Sequence, residues 1–148
     1  MMNELDIRSL SADSFVVRVG AELKRAERYR FFVSLVALDL SFIRTLFGDD
    51  NHQMVNTLLE TIQSNTRVID NLSLTGDLKL VLLLPETSRQ GAEITARRLS
   101  ELIRKGLSLH SDRKIEDMIP LEMASFPDAA GAKTVKDFVR ELLEQSRN

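Results

Sequence analysis

Residues 67–87 read RVIDNLSLTGDLKLVLLLPET, from Arg67 to Thr87. Thr75-Gly76-Asp77 in the middle is a hairpin turn, with glycine free to supply a positive φ where the turn needs one. Strands are therefore expected on both sides, over about 67–74 and 78–85. Val81-Leu82-Leu83-Leu84 lacks the apolar/polar alternation of a half-exposed strand, so this strand should be buried on both faces. Pro85 stops it.

Working outward, Phe31 to Leu40 (FFVSLVALDL) is a second nearly unbroken apolar run and reads as another doubly buried strand. Before it, Val16, Val19, Leu23 and Ala26 recur at helical spacing, with Glu22, Lys24, Arg25 and Arg28 mostly on the other face. This gives a helix over about 12–29, after a poorly ordered lead-in of residues 1–11. Asp50 with Gln53 forms a capping-box pattern ahead of the stripe Met54, Val55, Leu58, Leu59 and Ile62. Thr87 with Gln90 forms a second one, opening a helix to about Lys105 with Gly106 as its C-terminal cap. Residues 107–118 are polar and read as a loop. A strand or strand pair is expected near 119–126. Thr134 opens a last helix with the stripe Val135, Phe138, Val139, Leu142 and Leu143. Helix, strand, helix, hairpin, helix, strand, helix is the order of an α/β sandwich with a largely antiparallel central sheet.

The chain has 148 residues, enough for one domain around one core, with 43% hydrophobic and 28% charged residues. Cysteine is absent, which excludes disulfides, thiolate metal sites and a thiol nucleophile. No apolar run approaches the length of a membrane span, and the first residues lack the pattern of a signal peptide. A cytoplasmic protein without membrane insertion is expected. Net charge is −2, without the basic excess of a general nucleic-acid binder. A small anionic ligand needs only two or three local arginines.

At this point the sequence resembles a known family, the GGDEF or diguanylate cyclase domains. Glu22-Leu23-Lys24-Arg25-Ala26-Glu27-Arg28-Tyr29 is similar to the family's opening helix, and Leu38-Asp39-Leu40 to the end of its first strand. Arg67-Val68-Ile69-Asp70 stands where the family carries its RxxD inhibitory-site motif. Gly76-Asp77-Leu78-Lys79-Leu80 stands where GGDEF should be. Val81 to Thr87 is similar to the family's "LLPxT" strand end, Ala124-Ser125-Phe126-Pro127-Asp128 to a late family segment, and Ser146-Arg147-Asn148 to its terminal Gly-Arg-Asn. Residues 12–148 are covered. The fold implied is a cyclase-like palm, a mostly antiparallel five-stranded sheet flanked by helices.

The same resemblance implies that catalysis is lost. Joining two GTP molecules needs metal ions to neutralise triphosphate charge and help activate a 3′-hydroxyl. Two family carboxylates hold the metals. One corresponds to Asp39 and the other to Leu78, which cannot ligate Mg²⁺. Lys79 replaces a second acidic residue, and Asp77 replaces the glycine that lets phosphates approach. In the guanine pocket Phe47 falls on the family's asparagine, Asn56 on its aspartate, and Leu143 on its late lysine. His52 matches a common family histidine but reads as a surface or packing residue, and Asp39 as a strand-end residue without metal. Asp112, Glu116 and Asp117 read as a solvated loop. No cofactor is expected.

What the resemblance leaves intact is the cyclic di-GMP site: Arg67, Asp70 and Arg98, with Arg97 as the neighbouring fallback. An arginine fork can donate to guanine O6 and N7 or clasp a phosphate, and an aspartate can accept from the guanine N1–H and amine. The bland reading is a surface salt bridge worth under about 1 kcal/mol. The expectation is an inactive domain acting as a cyclic di-GMP receptor, with a protein partner or ligand-linked homodimer. The competing readings are a ligand-independent interaction module and a GTP sensor using the old active site. Leu78, Lys79, Phe47 and Asp77 argue against the GTP sensor.

Overall fold

The computed structural model describes residues 11–108, 119–127, 131 and 133–146. The expected lead-in lies almost wholly outside them, as do most of the 107–118 loop with Asp112, Glu116 and Asp117, and the end of the Ala124–Asp128 segment. Helix α1 (Ala12–Tyr29) begins on Ser11, whose Oγ accepts the Ser14 N–H at 3.3 Å. Its buried stripe is Phe15, Val19, Leu23 and Ala26; Val16, expected in the stripe, lies at its margin. Strand β1 (Val33–Asp39) is shorter than the apolar run suggested, because Phe31 and Phe32 stay outside in the turn.

Six residues after β1 form a helix that the sequence reading did not anticipate, α2 (Phe42–Phe47), burying Ile43 and ending at Gly48 with φ 76°. Helix α3 (His52–Ser64) starts one residue later than the Asp50 capping box implied. Asn51 is the cap residue, and its Nδ2 donates to the Gly48 carbonyl rather than serving the helix. Strands β2 (Asn71–Leu74) and β3 (Lys79–Pro85) form the expected hairpin, though 67–70 is a turn rather than strand. Helix α4 (Arg89–Ser108) is capped by Ser88, not Thr87, through the Gly91 N–H at 3.2 Å. Gly106 is inside this helix and packs on Leu58; a Cβ there would stand 3.3 Å from Leu58 Cδ2. Strand β4 (Leu121–Phe126) and helix α5 (Val135–Ser146) complete the chain, with Thr134 capping α5 through the Asp137 N–H.

The sheet has the order β2-β3-β1-β4, and each neighbouring pair is antiparallel. The expected fifth strand is not found among the described residues, where four strands stand: the strand or strand pair expected near 119–126 is the single strand β4. The two apolar runs are buried on both faces, as their lack of alternation implied. Val33, Leu35, Ala37, Val81 and Leu83 face α1 and α5. Val36, Leu38, Leu80, Leu82 and Leu84 face α2, α3 and α4. The result is three layers, helices on both sides of the sheet. No helix among the described residues is long and apolar enough to cross a membrane.

Candidate functional site

The β2–β3 turn is where the resemblance puts the signature. Leu78 N–H donates to the Thr75 carbonyl and Thr75 N–H to the Lys79 carbonyl, each at 3.0 Å. Thr75 Oγ1 also accepts the Lys79 N–H at 3.0 Å. This is a short hairpin loop closed by one left-handed residue, a position that glycine usually fills. Here the left-handed residue is Leu78, at φ 63°, and Gly76 has no positive φ. The conformation costs a non-glycine residue about 1–2 kcal/mol. Burial offsets it: Leu78 is 8% exposed and belongs to the core under α2 and α3.

Leu78 thus closes a cavity with Leu40, Ile43, Val55, Leu58 and Leu74 that has only about 10 Å³ of open space. An apolar space of that size stays dry. Phe47, on the position of the family's asparagine, packs against the same core. Asn56 and His52 are exposed on α3, and Leu143 is half-buried on α5. The Arg44 guanidinium donates to the Gly76 carbonyl and holds the turn against α2.

Asp39 ends β1 opposite Lys79 in the ladder. Its Oδ1 accepts the Ser41 N–H at 2.9 Å. That backbone hydrogen bond, helped by the Ser41 hydroxyl and the Lys79 charge, outweighs partial burial and holds the carboxyl below its ordinary value. Among the described residues, no group of three His, Cys, Asp or Glu is placed to share a metal ion.

The Arg67–Asp70 segment is a closed turn. Asp70 N–H donates to the Arg67 carbonyl at 3.0 Å. The Asp70 carboxylate, 2% exposed as a residue, accepts the Arg67 backbone N–H at 2.8 Å and its Nη2 at 2.8 Å, with Nε at 3.2 Å. Arg67 Nη2 also reaches the Pro85 carbonyl at 2.7 Å and Thr87 Oγ1 at 2.6 Å. The hairpin register explains this: Asn71 pairs with Leu83, so the chain before β2 lies beside the chain after β3. Asp70 is therefore turned inward and orients Arg67, whose side chain is 48% exposed. Arg98, exposed on α4, donates to the Asn65 carbonyl at 2.8 Å, two residues before Arg67. Arg97 is exposed beside it. The structure brings Arg67, Asp70 and Arg98 to one loop. Asn65, which ties Arg98 down, was not singled out from sequence, and Thr87 was read as a helix cap and the end of the LLPxT-like segment rather than as a partner of Arg67.

No family model matches the chain, and no curated protein matches it. Solved structures do. The chain is similar to the GGDEF domain of FimX from Pseudomonas aeruginosa, at TM-score 0.65 and 13% identity over 94% of this chain and 85% of that one. It is similar to the GGDEF domain of DgcB from Caulobacter crescentus in complex with c-di-GMP, at TM-score 0.62 and 14% identity over 99% and 87%. It is also similar to the diguanylate cyclase SiaD from Pseudomonas aeruginosa in complex with its activator SiaC, at TM-score 0.62 and 20% identity. There the match covers 93% of this chain but spans only 55% of SiaD. The fold is that of a GGDEF domain.

Proposed function

We propose that the chain is a GGDEF-fold domain without cyclase activity that takes cyclic di-GMP on Arg67 and Arg98, with Asp70 holding Arg67 in place. The observation that carries the loss of catalysis is the side chain of Leu78. At the position of a metal-holding carboxylate it carries no oxygen ligand, and it is buried in the core rather than facing a phosphate. Lys79 adds a cation opposite Asp39, the remaining carboxylate.

Binding is supported by the half-exposed guanidinium of Arg67, fixed by a buried carboxylate, with Arg98 anchored on the same loop. Two arginines in fixed positions suit a ligand with guanine edges and phosphates. Calorimetric titration with cyclic di-GMP tests this. Saturable binding that weakens by about fivefold or more in Arg98→Ala is expected, since a lost bidentate contact is worth about 1–3 kcal/mol. Absence of heat at high micromolar ligand would refute it.

A second reading has an observation of its own. Arg67 already serves Asp70, Pro85 and Thr87, as a purely structural clasp would. On that reading the domain is a ligand-independent interaction module, and partner capture is unchanged when Arg98 is removed.

A further inference from the structure

The end of the sheet where β1 begins carries an exposed aromatic surface beside the Arg67 turn. Tyr29, Arg30, Phe31 and Phe32 join α1 to β1, and all four are exposed. Val68 and Ile69, at the tip of the Arg67 turn, are exposed at the same end, because β1 and β2 both start there and β3 ends there. Five of the eight large exposed hydrophobic residues described thus gather on one end of the domain.

Arginines interleave with them. The Arg25 guanidinium lies 4.9 Å from the Phe31 ring centre, and Arg28 lies 5.4 Å from that of Tyr29. Arg25 also pairs with Glu86, just past β3, at 3.2 Å. Among residues 24–32 there are four cations and one acid, in a chain whose net charge is −2. Arg30 occupies a left-handed cap at φ 59°, a conformation glycine adopts without strain. A cation is therefore held on this end where glycine would fold more easily. The opposite end carries Asp39 and Asp77 together with Lys79 and Arg44.

We propose that this end docks peripherally on an anionic phospholipid surface. Guanidinium groups meet the phosphates, and Tyr29, Phe31 and Phe32 enter the headgroup layer, where aromatic rings are favoured. The apolar side chains are exposed at the end of α1 and on two turns. Such a surface suits a fluid interface that moulds around it better than a shaped protein partner. The proposal does not rest on cyclic di-GMP binding, and its test leaves Arg67 intact.

The test is co-sedimentation with vesicles of equal parts phosphatidylserine and phosphatidylcholine, against vesicles of phosphatidylcholine alone. The wild-type chain should sediment with the anionic vesicles only, and release as salt rises from about 0.1 M to about 1 M. Phe31→Ser with Phe32→Ser should weaken binding by about tenfold, and Arg28→Glu by about fivefold or more. Val17→Ser, an exposed site near the other end of α1, should bind like wild type. Circular dichroism confirms that each variant is folded. Equal sedimentation with neutral vesicles, or none with either, would overturn the proposal. So would unchanged binding by the double serine variant. Self-association through this end without vesicle binding would overturn it in favour of a second copy of the chain.

Discussion

Replacing Leu78 by glycine should cost no more stability than replacing it by alanine. Both changes empty a buried apolar site, and alanine keeps the Cβ that glycine lacks. For a leucine 8% exposed, in a tightly closed apolar site, the alanine variant should lose about 3 kcal/mol. Alanine still has to hold φ at 63°, so the left-handed cost of about 1–2 kcal/mol remains. Glycine removes that cost, adds about 0.5–1 kcal/mol of unfolded-state freedom and gives up about 0.8 kcal/mol of Cβ burial. The terms nearly cancel, so the two variants should agree within about 0.5 kcal/mol, where an ordinary buried site would favour alanine by about 1–2 kcal/mol. Urea unfolding followed by circular dichroism measures it, with equal slopes confirming a common unfolded state. Alanine more stable than glycine by about 1 kcal/mol or more would show that Leu78 does not hold the left-handed turn. Both variants within about 0.5 kcal/mol of wild type would show that it is not core. Either result removes the structural reason for reading the signature position as apolar packing.

Arg30→Gly, at an exposed left-handed position, should be stabilising by about 0.5–1 kcal/mol once the unfolded-state freedom of glycine is counted, read as a raised unfolding midpoint. Arg67→Ala should lose about 1–3 kcal/mol in the same assay, because Asp70 stays buried with its guanidinium partner gone. That is why Arg98→Ala is the cleaner binding variant. Asp39 has a carboxyl held below the ordinary 3.8, first by the Ser41 N–H. Its contribution is therefore complete above that value and is lost as pH falls through the lower folded value. Acid titration of stability should be shallower below about pH 4 in Asp39→Asn than in wild type.

Much of the fold was legible because its strands are apolar without alternation and its helices are striped. Phe31–Leu40 and Val81–Leu84 read as strands covered on both faces, and residues 33–38 and 81–84 are. Helix α2 was not legible: six residues carry too little periodicity, and it stands on one buried residue, Ile43. Caps slipped by a residue at α3 and α4 because Asp50, Asn51, Thr87 and Ser88 are all competent cap types, and tertiary contacts chose among them. Thr87 was taken from the helix by Arg67. At the site, residue types were readable but orientations were not. Nothing in RxxD says that Asp70 faces inward, since that follows from the register of β2 on β3. Nor does Gly76 reveal that the left-handed residue of the turn is Leu78.

The most direct measurement is an amide chemical-shift map of the labelled chain, titrated first with GTP and Mg²⁺ and then with cyclic di-GMP. Shifts should stay flat with GTP at residues 39–47 and 76–79. With cyclic di-GMP they should move at residues 65–70 and around Arg98. Saturating GTP shifts in the signature turn and at Asp39, or a silent Arg67 loop with cyclic di-GMP, would contradict the account.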